Sequence, residues 1–300
     1  MRPTLLNNTT CIYCGCDIDR DSRTKEHVIG RRFVPRGALE NSWNLIAWSC
    51  LKCNNKKSRL EDDISAITMR GKVWAEGAQG NEIIAREDQR KSPKSYSSRT
   101  RKPVAESDES VKINFAIAGG ASISMNLIAP PQIDDARVDE LTKHYLIGFF
   151  YFITYDSESR RGKFPPGKIY PIKNAIKSNW GNREHIEFMR MVLPWDYRLI
   201  APGVANSHFR VAIRKHPNSG CFSWAMEWNQ HFRVAGFFGE PHHVIPFYEK
   251  IPNTSPRFDP ENKSPQFHIT PDIALKEKDD IMFRDPPWAK GTQPETIPHI

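Results

Sequence analysis

The order of elements legible in the sequence predicts an α+β protein, with a small cysteine-bounded unit at the N-terminus and an antiparallel α+β domain behind it. Three observations carry this expectation. Five of the six cysteines lie within the first 53 residues. Two alternating apolar runs flank a Gly-Gly turn near residue 120, the pattern of a β-hairpin. Three further strand-like runs arrive together after two helical segments, and this lack of regular βαβ alternation argues against a parallel sheet.

Taken in order, residues 1–75 form the first unit. Its last part, Asn54 to Met69, reads as helix because Leu60, Ile64 and Ile67 share one face, and Lys57 and Glu61 make an i, i+4 charge pair there. Residues 76–110 read as a polar linker. Within it, residues 86–110 hold almost nothing apolar and are expected to be a linker or mobile arm, and Arg86 to Lys102, with seven basic residues, is either simply solvated or a phosphate-tracking arm. Residues 111–250 follow as the α+β domain. Val111, Ile113, Phe115 and Ile117 alternate on the way to Gly119-Gly120, and Ile123, Met125 and Leu127 alternate on the return. Helices are expected over Asp135–Thr154 and Arg183–Leu193. Strands are expected at Phe209–Ile213, Phe222–Trp228 and Phe232–Phe238, with Trp224, Met226 and Trp228 as a core-facing stripe. The tail over residues 251–300 carries nine of the 23 prolines and reads as extended and irregular.

Length and composition bound the function. Three hundred residues correspond to about two domains. A hydrophobic fraction of 39% suffices for a core. The longest apolar run, Tyr145 to Tyr155, is far short of the roughly 20 residues that cross a bilayer. With no apolar leader after Met1, a soluble cytoplasmic protein without a membrane partner is expected. A net charge of +8 favours a polyanionic partner, nucleic acid foremost.

The cysteine spacing is specific. Cys11-x-x-Cys14 and Cys50-x-x-Cys53 each place two thiolates at two corners of a tetrahedron, and together they suit one closed structural Zn²⁺ site. Cys16 lacks this spacing, and Cys221 reads as a strand residue. His242-His243 has only Glu240 at ligand spacing, too little to assign a second metal. No P-loop, dinucleotide fingerprint or nucleophile elbow is present.

Between the cysteine pairs stand Glu26-His27-Val28-Ile29 and Asn44-Leu45-Ile46, and Asn54 follows Cys53, with Lys57 three residues on. The pattern C-x2-C…E-H-V-I…N-L-I…C-x-x-C-N-x-x-K over residues 9–65 resembles the HNH endonuclease family, in its branch with a zinc-stapled ββα-metal fold. The resemblance implies hydrolysis of DNA phosphodiester bonds, leaving 5′-phosphate and 3′-hydroxyl ends. It implies His27 as general base, a role an imidazole suits near neutral pH. Glu26 and Asn54 would hold a catalytic Mg²⁺ or Mn²⁺ through hard oxygen ligands, and Asn44 would tie the hairpin loop and orient the base. Strand neighbours point apart, so Glu26 and His27 can share a target only if the hairpin is irregular, as in that fold. Arg31, Arg32, Arg36, Lys56 and Lys57 are the candidate nucleic-acid contacts.

The chain departs from the family in having Glu where Asp is common before the His, Gly30 where Pro is common, Gly37-Ala38 for Gly-Gly, and Asn54 for a final His. The domain after residue 110 is expected to recognise substrate, bind a partner protein or form a homodimer, in a restriction, antiviral defence or mobile-element setting. The rivals are a non-catalytic zinc-stabilised nucleic-acid-binding module and a nuclease acting on RNA or branched DNA.

Overall fold

The computed structural model describes residues 2–116, 122–251 and 272–284. The N-terminal part builds one small sheet. β1 (Thr4–Leu5) runs parallel to β3 (Leu45–Cys50), and β2 (Arg23–His27) pairs antiparallel on the other side of β3. β3 passes without a break into α1 (Leu51–Glu76), longer at both ends than the apolar periodicity suggested. α1 stops at Gly77, whose φ of 73° is one that glycine adopts without a Cβ penalty, while its N–H closes on the Val73 carbonyl at 2.8 Å.

α2 (Glu82–Lys91) follows, then the hairpin of β4 (Glu109–Ala116) and β5 (Ser122–Ala129). The hairpin register sets Val111 opposite Leu127 and Ile113 opposite Met125, while the Gly119-Gly120 turn lies outside the described residues. After α3 (Asp135–Ile153) come β6 (Lys168–Pro171), β7 (Ala175–Ile176) and α4 (Arg183–Val192). The run closes with β8 (Asp196–Gly203), β9 (Phe209–Lys215), β10 (Phe222–Trp228), β11 (Phe232–Gly239) and a short helix, Ile245–Lys250. The large sheet has the order β6-β11-β10-β9-β8, with β7 also on β11, and its pairings are antiparallel. The α+β class is therefore observed. β8, read as no element from the sequence, is an edge strand ending in Pro-Gly, where a missing N–H costs the ladder nothing.

Alternation along β9–β11 separates two cores. Phe209, Val211, Ile213, Trp224, Met226, Trp228, Val234 and Phe238 face α3 and the N-terminal unit. Ala212, Ala225, Ala235 and Phe237 face α4 and the short helix, with Cys221 buried among them. The Trp224/Met226/Trp228 stripe is thus core.

The expected boundary at residue 75 is not a break in packing. One continuous core contains Leu6, Ile12, Val28, Phe33 and Ile64 from the first unit together with α3 and the large sheet. Phe33, six residues after His27, inserts edge-on between Tyr145 of α3 (5.5 Å between ring centroids) and Trp228 of β10 (5.4 Å). The β10–β11 turn presses on α1: Asn229 donates to Thr68 Oγ1 at 2.9 Å, and a Cβ on Gly71 would come within 2.7 Å of His231 Nε2.

The linker expectation is corrected by the same packing. α2 buries Ile84 and Ala85, Val104 sits against Ala66 and Ile67, and Ser92, Ser95, Ser97 and Ser107 are buried through hydrogen bonds. Several of the supposedly free cations are engaged: Lys91 donates to the Arg32 carbonyl at 2.7 Å, Arg90 pairs with Glu87, and Arg99 with Glu109 and Asp134. The segment looked solvated because it docks by polar contacts rather than apolar surface. Of the tail, residues 272–284 are described. Met282 and Phe283 are buried in the second core, and the fully buried Arg233 donates to Glu227 at 2.8 Å and pairs with Asp280, 3.5 Å above the Trp180 ring. No described helix is long and apolar enough to cross a membrane.

Three buried histidines make this fold acid-sensitive. Burial, the largest cause, pushes His185, His208 and His231 down to about 4 from the ordinary 6.5. They are neutral in the folded state and take up protons on unfolding, so their contribution is complete above about pH 6.5 and is lost as pH falls towards 4. Thermal unfolding followed from pH 7 to pH 4.5 should show a falling Tm, and His185→Gln should make that slope shallower; an unchanged slope would assign the acid sensitivity to other groups.

Candidate functional site

The cysteines come together at the base of the first unit. The thiols of Cys11, Cys14, Cys16 and Cys50 all lie within 4.8 Å of one another, with Cys14 Sγ 3.4 Å from Cys16 and 3.9 Å from Cys50. Cys53 adjoins Cys14 and Cys50. The sequence expected a set of Cys11, Cys14, Cys50 and Cys53. The structure adds Cys16, because Gly15, at a φ of 73°, folds the chain back so that Cys16 returns beside Cys14. None of the five is in a disulfide. Such a group of thiols could hold a soft or borderline metal such as zinc, and as donors they fit it.

β2 carries the Glu-His pair. Its register with β3 is unbroken from Arg23↔Cys50 to His27↔Ile46, so the irregular hairpin expected to bring both side chains to one target is not observed. Thr24 and Glu26 face α1, and Glu26 is only 4% exposed. Lys25 and His27 face the opposite way, and His27 is half-buried. Burial, followed by the charges of Arg31, Lys25 and Lys57, lowers the His27 pKa and favours its neutral form. Asn44, at the start of β3, closes a two-bond ring with the Ile29 backbone, donating to its carbonyl at 2.9 Å and accepting its N–H at 3.2 Å. That ring pins the chain two residues past His27.

On the other face, two rows join strand to helix. Asn54 donates to Thr24 Oγ1 at 2.9 Å, and one turn along α1 the Lys57 ammonium donates to Glu26 Oε1 at 2.9 Å. Lys57 also donates to Glu61 Oε1 at 2.6 Å and to the His27 carbonyl at 3.4 Å. Tyr13, inside the first cysteine pair, donates to Glu26 Oε1 at 3.1 Å, and Tyr145 of α3 donates to Glu61 Oε1 at 2.8 Å. Burial alone would lower the Lys57 pKa, but the two carboxylates outweigh it and raise it, so the ammonium keeps its charge. Burial and the same carboxylates hold both phenols well above their usual value, so both remain donors.

Lys57 was expected among the nucleic-acid contacts. At 1% exposure it cannot reach one, and this is a correction: its charge is spent inside the protein on Glu26 and Glu61. The helical i, i+4 pair was legible, its burial was not. Arg31, Arg32 and Arg36 are exposed, and Lys56 is exposed but paired with Glu140 of α3.

Gly30, which stands where Pro is common in the family that the motif resembles, has a local reason. Its N–H donates to Glu61 Oε1 at 3.2 Å, which proline could not do, and a Cβ there would lie 2.2 Å from Glu61 Oε2. His144 of α3 carried no sequence signal, a lone histidine in an apolar helix. It lies edge-on to Tyr13 at 5.2 Å between centroids and is half-buried, with Nδ1 on the Glu140 carbonyl at 2.8 Å. Gly148, one turn further along, lets α3 close on Val28, beside His27; a Cβ would come 3.0 Å from Val28 Cγ1.

No protein-family model, no curated protein and no solved structure matches the chain.

Removing the central cation should be severe. Lys57→Met leaves two buried carboxylates without a counter-charge, a class of change that costs about 3–5 kcal/mol. Urea unfolding of Lys57→Met should show a loss on that scale. A loss below about 1 kcal/mol, the scale of an exposed pair, would mean the network does not hold the unit together.

Proposed function

We propose that the chain is a metal-dependent endonuclease of the HNH type, hydrolysing DNA phosphodiester bonds. The observation that carries this reading is the setting of His27. It is a half-buried imidazole biased towards its neutral form, on a segment pinned by the Asn44–Ile29 ring, with exposed Arg31 and Arg32 immediately after it. His27 takes the proton of the attacking water as general base. Asn44 keeps its backbone in place, and Arg31, Arg32 and Arg36 meet phosphate oxygens, positioning rather than reading the substrate.

Zinc on the cysteine group is structural in this reading and staples the turn at Cys11–Cys16 to the start of α1. Glu26 and Asn54 carry hard oxygen donors, but Glu26 faces α1 and Asn54 lies on that helix, on the opposite side of β2 from His27. Glu26 is also buried and engaged by Lys57 and Tyr13, so this placement does not bring the two to the water that His27 would activate. A bound Mg²⁺ or Mn²⁺ would supply stabilisation of the charge that builds on the phosphate and the departing oxygen.

A second reading draws on the burial of Glu26, whose engagement by Lys57 and Tyr13 serves structure equally well: a zinc-stabilised nucleic-acid-binding module without cleavage. Incubation of supercoiled plasmid with purified protein in Mg²⁺, Mn²⁺ or EDTA, beside His27→Ala, separates the two. Nicked or linear product that requires both metal and His27 is expected. Retarded plasmid with no product in either metal would favour the binding module, and wild-type cleavage by His27→Ala would remove the base assignment.

A further inference from the structure

A second group of metal-ligating side chains lies at the far end of the large sheet. β11 ends at Gly239, and the next four residues, Glu240-Pro241-His242-His243, turn in a single helical loop before the Ile245–Lys250 helix. One ligand atom from each of Glu240, His242 and His243 falls within 4.8 Å of the other two. The His242 Nε2 and Glu240 Oε2 atoms are 3.7 Å apart, and the two imidazole centroids are 4.0 Å apart.

Sequence spacing left Glu240 as the only support for the histidine pair. The fold adds a third imidazole and a seat. His216, just past the end of β9, stacks on His243 with centroids 4.0 Å apart and planes 26° from parallel. His216 is itself held, its Nδ1 accepting the Asn218 N–H at 3.3 Å and its ring meeting Trp195 edge-on at 5.1 Å. Beneath the carboxylate, a Cβ on Gly220 would lie 2.9 Å from Glu240 Oε1, and a Cβ on Gly239, at a φ of 98°, would strike the Gly220 carbonyl at 2.1 Å. Two glycines therefore let the chain close tightly enough for Glu240 to sit beside the imidazoles.

We propose that Glu240, His242 and His243 form a second metal site, separate from the cysteine group, for a borderline divalent ion of the Zn²⁺ class. Two imidazoles and one carboxylate are a donor set that zinc accepts, with water in the fourth position. The site is exposed, so the ion reaches it from solvent without any opening of the fold. His216 is a positioning residue, setting the His243 ring by stacking. The ion would fix the turn after β11, which the His216–His243 stack sets against the turn after β9, at the corner from which the chain leaves the sheet.

The test is zinc titration of untagged full-length protein that already holds its first equivalent on the thiols, followed by calorimetry and by metal content after desalting. A second equivalent is expected. The variant His242→Ala/His243→Ala should weaken it by about 100-fold or more, because loss of even one outer partner of a metal ligand costs about 10–100-fold. That variant should leave the first equivalent and the circular dichroism spectrum unchanged, since both side chains lie at the surface. His216→Ala should weaken the second equivalent less than loss of the ligands does. No second equivalent in the wild type, or one held equally well by the double variant, overturns the proposal.

Discussion

A single buried ammonium organises the first unit and attaches it to the rest of the protein. Lys57 sits between Glu26 on β2 and Glu61 one turn along α1, and each carboxylate takes a phenol as well, Tyr13 from the cysteine turn and Tyr145 from α3. Glu61 further holds the Gly30 N–H. Strand, cysteine turn, loop, α1 and α3 thus meet at three charges that have left water. Burying such groups is costly, and replacing a buried trio by apolar residues is often no loss of stability. What the ionic form adds is direction. The donors and acceptors fit only one relative placement of β2, α1 and α3, so we regard the network as the feature that sets where His27 lies.

That placement also explains why the first unit is not an independent module. Phe33 leaves the loop after His27 and enters the aromatic core made by α3 and the large sheet, with Asn229 of the β10–β11 turn donating to its carbonyl at 3.3 Å. Gly148 allows α3 to close on Val28. The residues that follow the candidate base are therefore buttressed by the C-terminal part. A disturbance in the sheet passes to His27 through packed side chains, since close-packed cores transmit displacement rather than absorb it.

The two candidate metal groups differ in how they are built. The cysteine group draws on two separate stretches, the Cys11–Cys16 turn and the junction of β3 with α1, so its geometry depends on how the small sheet sets them together. The histidine group draws its proposed ligands from four consecutive residues and depends on the sheet chiefly for the glycine seat and for His216. The first suits a role in holding the fold, the second a role at its edge.

How much was legible follows from the range of the interactions involved. The β4–β5 hairpin, α3, α4 and strands β9 to β11 were readable because alternation and helical periodicity are local consequences of which face is buried. The cysteine pairs were readable because metal-ligand spacing is local chemistry, whereas Asn44 stood out only through the resemblance of the surrounding motif. Three matters were not. The stretch 86–110 has the composition of a solvated arm, yet it is folded by buried serines and by Lys91, whose contacts lie on Arg32 and Ser65 far away in sequence. Cys16 has the wrong spacing for a knuckle, and only the return of the chain at Gly15 brings it in. Lys57 reads as one more surface cation beside the second cysteine pair. The sequence by itself determined the α+β class, the order of most elements and the identity of the thiol, imidazole and amide groups at hand. Only the tertiary structure decided which charges are buried, which side of β2 faces the helix, and that one core spans both parts, because desolvation and close packing depend on residues that sequence distance keeps apart.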